Sequence, residues 1–123
     1  MSKALNETLV NIGYDNLFVE NIPEADVVLV KLTAAGVVKR GTLLSGTPGG
    51  ADFTALSAAA SSEKALYVLA EDCDTTEDVV GIAYRTGHFN RNALILGGSY
   101  KLTAADEEIL RKSGILLADA IEY

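Results

Sequence analysis

The stretch ALYVLAEDCDTTEDVVGIAYR, residues 65–85, gives the clearest indication of the fold class. Residues 65–70 form a short apolar run, and the apolar residues of 80–85 alternate with smaller ones. Short apolar runs and alternation with a period of two are both typical of β-strands. Five carboxylates crowd the connecting residues 71–78. The stretch therefore predicts two strands joined by an acidic turn.

Short strands are also predicted on both sides of this pair. Residues 27–30 are four consecutive apolar residues, VVLV, whose β-branching favours a strand. The segment 37–44 is a second strand-like run, in which Gly41 indicates a bulge or a close backbone approach. The glycine-rich residues 46–50 end this run. Towards the C-terminus, strands are predicted at 89–96 and 115–118.

The intervening residues 51–63 are rich in Ala, Ser and Thr and leave two alternatives open. Phe53, Leu56 and Ala60 are spaced as on a helix, which favours one or two helical turns. The same composition suits an irregular surface loop. The sequence predicts a helix or a loop here, without deciding between them.

The clearest helix signal lies at residues 103–114. Thr103 is a good N-cap residue, and Asp106, three residues later, completes a capping box. Gly114 supplies the left-handed residue that ends many helices. Together with the short strands, this single helix predicts a compact, β-rich α+β domain. The residues expected to turn towards its core are Ala105, Ile109 and Leu110.

Residues 1–24 precede the first predicted strand and have a different character. Their apolar side chains are widely spaced among Asn, Glu and Asp, with Leu5, Leu9 and Ile12 at helical spacing. Two interpretations are equally open: an arm that becomes ordered on a partner, or a segment that packs on its own domain. We therefore divide the chain into an N-terminal arm, residues 1–24, and a β-rich domain, residues 25–123.

The charge and composition exclude several kinds of partner. The chain has 10 Lys+Arg and 17 Asp+Glu, hence a net charge of −7, and its basic residues are scattered, whereas nucleic-acid binding needs clustered Lys and Arg. No apolar run approaches the roughly 18 residues that span a bilayer, and no signal peptide is indicated. The single cysteine, Cys73, excludes a disulfide-stapled scaffold. We expect one soluble domain that binds neither nucleic acid nor membrane.

Few residues offer catalytic chemistry. His88 is the one side chain that normally titrates near neutrality, but we interpret it as an exposed turn histidine between two strands. A nucleophilic Cys73 would need a base beside it, whereas Asp72 and Asp74 are expected to raise its pKa. We interpret Cys73 as an inert, small apolar residue. A small hydrolase or a metal-dependent enzyme that uses His88 and the carboxylates of 71–78 stays open as a minor alternative.

Metal and phosphate sites are poorly supported by the sequence. The carboxylates of 71–78 could bind calcium weakly, but their spacing lacks the alternation and the central glycine of known calcium loops, so a solvated acidic turn is preferred. The glycine-rich residues 46–50 are not followed by the Gly-Lys-Ser/Thr of a phosphate-binding loop. One cysteine and one histidine cannot make an ordinary zinc site. We predict no catalytic residue, no metal and no cofactor.

Four short motifs follow one another in a characteristic order. They occupy residues 39–44 (KRGTLL), 69–74 (LAEDCD), 87–94 (GHFNRNAL) and 110–117 (LRKSGILL). Together they resemble the head decoration proteins of tailed bacteriophages, the group that includes the lambda-type decoration proteins. The resemblance covers roughly residues 25–121 and depends on the order of all four motifs, because each is short and non-catalytic.

The resemblance implies a small compact domain of β-barrel or β-tulip type, with one short C-terminal helix and an extended N-terminal arm. It implies a homotrimer without enzymatic activity, made in the host cytoplasm, that binds the major capsid protein on the outer surface of the expanded head. There it would stabilise the capsid against the pressure of packaged DNA. A subunit of the tail tube or of the head–tail connector is the main alternative.

The resemblance also gives residues 1–24 a role. In such proteins the arm commonly becomes ordered on the capsid, often by adding a strand to it. The apolar side chains of the arm are therefore the candidate capsid contacts: Leu5, Leu9, Val10, Ile12, Tyr14, Leu17 and Phe18.

Overall fold

A computed structural model describes residues 17–20 and 25–119 of the chain. Within them, no helix is long and apolar enough to cross a membrane. The α-helix, α1, is Ala104–Ser113, and a single turn of 3-10 helix is Arg91–Ala93. The strands are β1 (Phe18–Glu20), β2 (Asp26–Lys31), β3 (Val37–Val38), β4 (Leu43–Thr47), β5 (Ala51–Ala55), β6 (Ala65–Leu69), β7 (Cys73–Asp74), β8 (Val80–Asn90) and β9 (Ile115–Ala118). The predicted β-rich α+β class with one C-terminal helix is confirmed.

Strand β8 is the centre of the main sheet. Its first part lies between β2 and β6 and is antiparallel to both. Its last part pairs antiparallel with β1 and parallel with β9. Beyond β6 the sheet continues through β4 to β5, while β3 and β7 form a separate two-stranded ribbon. One strand of eleven residues thus connects the early, middle and late parts of the chain.

The central strands are buried on both faces. On one face, Leu43, Val68 and Tyr84 lie side by side across β4, β6 and β8, and they share a core cluster with Leu110 of α1. Burying an apolar side chain of this size contributes roughly 1.5–3 kcal/mol to stability. On the other face, a second core cluster contains Phe53 of β5 with the adjacent residues of the same strands: Leu44, Leu69 and Ala83.

Strands β2 and β5, which lie at opposite ends of the main sheet, contact each other. Leu32, directly after β2, forms a bridge with Phe53 of β5. The N–H of Lys31 donates to the Gly50 carbonyl over 2.7 Å, and the N–H of Thr33 donates to the Phe53 carbonyl over 2.9 Å. These contacts are limited to the end of β2, and the predicted barrel or tulip form stays a prediction.

Helix α1 begins and ends as its sequence predicts. The Thr103 hydroxyl accepts a hydrogen bond from the N–H of Asp106, whose carboxylate accepts one from the N–H of Thr103. Gly114, at φ 99°, ends the helix in the left-handed conformation that glycine adopts most readily. Leu110 is fully buried, and Ile109 packs against the same core cluster.

The prediction that Ala105 of the helix faces the core is wrong. Ala105 is exposed, and its neighbour Asp106 is buried instead, with only 1% of its surface accessible. The Asp106 carboxylate accepts hydrogen bonds from the N–H of Ala60 over 2.9 Å and from the Tyr100 hydroxyl. These donors compensate for the burial of a charge.

For the first part of residues 51–63, both predicted alternatives, a helix and a loop, are wrong. Residues 51–55 form strand β5, which pairs antiparallel with β4. The helical spacing of Phe53, Leu56 and Ala60 is coincidental, because Phe53 packs in one core cluster while Leu56 and Ala60 pack in the other. Residues 56–63 contain no helix or strand, so the predicted loop is confirmed for this part.

The predicted strand at 37–44 is two strands, β3 and β4. Gly41 lies between them with φ +93°, a conformation that cannot continue a strand. A Cβ added at Gly41 would lie 3.2 Å from the Ala93 carbonyl oxygen, so the predicted close backbone approach is confirmed. The glycine-rich residues 46–50 do end β4, although Gly46 and Thr47 still belong to the strand.

The predicted turn at His88, between two strands, is also wrong. Strand β8 continues to Asn90, so His88 is a half-buried strand residue and not an exposed turn residue. The predicted strand at 89–96 is reduced to the last two residues of β8, and a 3-10 turn follows. The strands predicted at 27–30, 65–70 and 115–118 are confirmed as β2, β6 and β9.

Candidate functional site

Two of the seven candidate arm residues lie in the described part of the chain, and both pack on their own domain. Leu17 is 2% exposed in the core cluster beneath α1. The ring of Phe18 lies 4.9 Å from that of Tyr84 and 4.7 Å from that of Phe89, measured between centroids. The carbonyl of Leu17 accepts a hydrogen bond from the N–H of Asn90. Residues 17 and 18 therefore anchor the start of β1 at the end of β8.

The other five candidates lie outside the described residues. They are Leu5, Leu9, Val10, Ile12 and Tyr14. Their role in capsid binding and the boundary of the arm at residue 24 stay predictions.

The KRGTLL motif at 39–44 connects three parts of the domain. The Arg40 guanidinium donates to the Ala70 carbonyl over 2.6 Å and to the Tyr84 hydroxyl over 2.9 Å. The backbone N–H of Arg40 donates to Asp72, and this bond lowers the pKa of the Asp72 carboxyl, with a further contribution from Lys39. The motif has a structural role, because each of these contacts joins two segments of the same chain.

The acidic residues 71–78 are held by backbone and hydroxyl donors. Asp74 accepts hydrogen bonds from the N–H and the hydroxyl of Thr76, and Asp78 accepts one from the N–H of Val80 over 3.0 Å. In the described part of the chain, no group of three or more His, Cys, Asp or Glu residues is arranged to hold a metal ion.

Cys73 is a buried core residue with a raised pKa. The main cause is burial, and Asp78 and Asp74 contribute through their negative charge. The predicted direction and the contribution of Asp74 are confirmed, whereas the second contributing carboxylate is Asp78 and not Asp72. A raised pKa disfavours the thiolate, which is the nucleophilic form.

His88 lies beside an open cleft of about 410 Å³ between α1 and β9. Besides His88, the charged residues that line it are Glu107, Glu108 and Arg111. Glu107 is held by Arg91, and Glu108 by Arg111. No serine, threonine or cysteine is among the described residues that line this cleft. None of the described carboxylates of 71–78 lines it either, so the structure does not bring them together with His88 in this cleft, as the hydrolase alternative required.

Arg91, in the third motif, pairs with one residue on each side of the last motif. Its guanidinium forms an ion pair with Glu107 of α1 and another with Asp119, just after β9, each at 2.8 Å. The backbones of the two motifs also pair directly, since residues 87–90 of β8 run parallel to residues 115–118 of β9. The third and fourth motifs are therefore neighbours in the fold.

An exposed apolar stripe lies on β2. Val27 is 55% exposed and Leu29 is 67% exposed, opposite Tyr84 and Ile82 of β8 respectively. Val28 and Val30 alternate with them and pack in the second core cluster. The sequence does not predict this surface, because a run of four apolar residues does not indicate which face of the strand is covered.

A second apolar surface is an open groove of about 240 Å³ at the edge of the second core cluster. Phe53 and Leu32 are buried residues in its lining, and Val37 and Ile95 are exposed ones, at 55% and 42%. Lys39 is the charged residue among the described residues that line it. The stripe and the groove have no residue in common.

Comparison with known families supports the motif resemblance. The family model described as bacteriophage lambda head decoration protein D matches residues 11–116. No curated protein matches the chain significantly. The matched region begins before β1, includes β1 to β8 and α1, and ends at the second residue of β9.

Proposed function

The chain belongs to the family of bacteriophage lambda head decoration protein D, and from this premise we propose that it stabilises the expanded capsid as a homotrimer on its outer surface. The family is structural and non-enzymatic, and its members are located on the phage head. The observation that carries the proposal is the family match over residues 11–116. No observation favours a tail-tube or connector subunit.

The physical basis of the stabilisation is selective binding. A protein that binds the assembled, expanded shell more tightly than free or immature subunits stabilises that shell by mass action. A trimer that contacts several major capsid subunits adds bonds that internal pressure has to break. The net charge of −7 keeps the exposed surface of the decorated particle soluble.

We assign capsid binding mainly to the arm, residues 1–24. Its apolar residues Leu5, Leu9, Val10, Ile12 and Tyr14 supply the side-chain contacts, and an added strand supplies backbone hydrogen bonds. Leu17 and Phe18 have a different role, because their packing on β8 anchors this part of the arm to the domain.

Co-sedimentation with purified capsids tests the proposal. The protein is mixed with expanded capsids that lack it and, in parallel, with unexpanded shells of the same phage. We expect saturable binding to expanded capsids and much weaker binding to unexpanded shells. Equal binding to both, or binding to neither, contradicts the proposal.

A further inference from the structure

We propose that, in the free protein, the open groove beside Phe53 binds residues 10–14 of the protein's own arm. The side chains that enter the groove are Tyr14 and Ile12. The groove thereby holds the arm on its own domain until a capsid competes for the same side chains. This last step rests on the proposed function, whereas the docking itself needs neither a capsid nor a trimer.

Leu17, the first described residue, lies close to this groove. A Cβ at Gly41 would lie 3.5 Å from the Leu17 Cδ1 atom and 3.2 Å from the Ala93 carbonyl oxygen. Gly41 is followed by Thr42, which lines the groove. Two residues after Ala93 comes Ile95, which also lines the groove and forms a bridge with Thr42. One pair of adjacent backbone segments therefore separates Leu17 from the groove.

The direction of β1 leads the arm towards the groove and away from the stripe on β2. Strand β1 runs antiparallel to β8, with Phe18 opposite Phe89. The residues that precede β1 therefore continue in the direction of residues 91–95, and Ile95 lines the groove. Strand β2 pairs with residues 80–86, at the other end of β8. Of the two exposed apolar surfaces, the groove is the one that lies on the path of the arm.

The arm is long enough to enter the groove. Neighbouring backbone segments of a sheet lie about 5 Å apart, and each extended residue spans about 3.3 Å. About two or three residues therefore carry the chain from Leu17 across the bridged pair of Thr42 and Ile95. Tyr14 then lies at the near end of the groove, and Ile12 follows it.

Residues 10–14, VNIGY, have the pattern of an extended segment with one apolar face. Apolar residues at positions 10, 12 and 14 alternate with a polar residue at 11 and a glycine at 13. Alternation with a period of two is typical of a strand that is covered on one side. Residues 8–14 contain no charged side chain, so docking removes no charge from water.

The groove suits these side chains in size and polarity. An apolar cavity of roughly 150 Å³ holds a benzene ring, so the groove of about 240 Å³ has room for the ring of Tyr14 and part of Ile12. The open side of the groove leaves the tyrosine hydroxyl in contact with water. Docking also covers the exposed apolar side chains of Val37 and Ile95, which favours it.

The short connection to the domain favours docking as well. A segment tethered by a few residues is present at its site at an effective concentration in the millimolar range, so a weak apolar contact is sufficient. The order that docking imposes on the arm opposes it and keeps the contact reversible. The arm therefore stays available to a capsid that binds it more tightly.

A tryptophan reporter tests the docking. The chain has no tryptophan, so the emission of Tyr14→Trp reports the environment of position 14 alone. It is measured in the full-length protein without capsids, and again after the addition of Val37→Lys or Leu29→Lys. Val37→Lys places a charge in the groove, whereas Leu29→Lys places the same charge on the stripe and is the matched control. Circular dichroism verifies that each variant is folded.

We expect Tyr14→Trp to emit at a shorter wavelength than the unfolded protein and to resist quenching by acrylamide. Val37→Lys should shift the emission to longer wavelength and increase the quenching, and Leu29→Lys should change neither. Emission typical of a fully exposed tryptophan contradicts the proposal. Emission that Val37→Lys leaves unchanged contradicts it too, because the arm would then pack elsewhere.

Refolding a mixture of chains tests whether the arm enters the groove of its own copy. The Tyr14→Trp chain is refolded with an excess of the Val37→Lys chain, which contributes no tryptophan emission. Unchanged emission is expected, because each Tyr14→Trp chain keeps its own intact groove. A shift to longer wavelength would show that the arm enters the groove of a neighbouring copy, and this contradicts the proposal.

A second measurement uses the unaltered arm. The methyl resonances of Val37 and Ile95 are compared by NMR in the parent protein, in Tyr14→Leu and in a protein that lacks residues 1–16. The tyrosine ring should displace these resonances in the parent protein alone. Resonances that are the same in all three proteins overturn the proposal. Neither measurement involves a capsid, so such a failure leaves the proposed function standing.

Discussion

Arg91 holds Glu107 through two parallel hydrogen bonds, from Nε to Oε2 and from Nη2 to Oε1, both 2.8 Å long. Its remaining amino group donates to Asp119 over 2.8 Å. The hydrogen bonds with Glu107, and then those with Asp119, raise the pKa of Arg91. One side chain thereby joins the 3-10 turn, α1 and the end of β9.

The three hydrogen bonds of Arg91 require the planar guanidinium group of an arginine. Arg91→Lys keeps the charge but cannot make two parallel bonds to Glu107 and a third to Asp119. The side chains of Arg91 and Glu107 are about one-third exposed or less, so we expect a loss of about 1 kcal/mol and a fall in Tm of about 4 °C. Arg111→Lys is the control, because its ion pair with Glu108 is more than half exposed and should change Tm very little. Equal effects of the two substitutions would contradict this account.

Asp106 should make the stability of the domain sensitive to acid. Burial would raise its pKa, but hydrogen bonds from Tyr100, Thr103 and Ala60 outweigh burial and lower it. Because the pKa is lower in the folded than in the unfolded protein, ionised Asp106 stabilises the fold at neutral pH. This stabilisation is lost as the pH falls through the lowered pKa, below about pH 4.

The corresponding experiment compares denaturant unfolding of the parent and Asp106→Asn between pH 3 and pH 7. An amide has one acceptor oxygen, so the variant should be about 2 kcal/mol less stable at pH 7, and the difference should shrink below pH 4. Asp52→Asn, which removes an exposed carboxylate of β5, is the control for the loss of one negative charge. A difference that is independent of pH would exclude the predicted role of the charge.

Gly41 should tolerate substitution less well than Gly36. Both have positive φ, +93° and +71°, which costs an alanine about 1 kcal/mol. At Gly41 the new methyl group would also lie 3.2 Å from the Ala93 carbonyl, whereas at Gly36 nothing lies within 4 Å. Gly41→Ala should therefore lower the free energy of unfolding by about 1 kcal/mol more than Gly36→Ala. Equal losses would show that the close approach has no energetic weight.

Removal of the arm should separate capsid binding from association. Leu17 is the first residue of the described core, so a protein lacking residues 1–16 keeps Leu17 and Phe18 and should remain a trimer. Its affinity for expanded capsids should fall at least tenfold in co-sedimentation. The control is a protein of full length in which only polar residues of the arm are exchanged, Asn6→Ser and Asn11→Ser. Normal binding by the truncated protein would move the capsid contact to the described domain.

Sequence patterns predicted those parts of the fold that depend on local chemistry. The capping box of Thr103 and Asp106 and the left-handed Gly114 are local interactions, and the helix begins and ends there. The short apolar runs that became β2, β6 and β9 are explicit in the sequence. The position of Gly41 indicated a close approach, although not its partner Ala93.

The errors concern properties that depend on distant residues. The burial of Asp106 required its donors Ala60 and Tyr100, and no local pattern brings these together. The helical spacing of Phe53 and Leu56 was misleading, because the two residues pack in separate core clusters on opposite faces of one sheet. The position of His88 was predicted wrongly because β8 continues through Gly87, although a glycine inside a strand weakens it.

The exposed apolar surfaces were the least predictable part of the structure. The four motifs identify the family through residues such as Arg40 and Arg91, which are structural. The stripe on β2 and the groove beside Phe53 depend on which face of a strand is left uncovered, and this is decided only when the whole sheet is formed.

Capsid melting tests the central claim most directly. Expanded capsids that lack this protein are heated with and without a saturating amount of it, and the disruption of the shell is followed by calorimetry. The account predicts that the melting temperature of the shell rises with protein concentration until the sites are full, as selective binding to the assembled state requires. A melting temperature that is unchanged at saturation would contradict it.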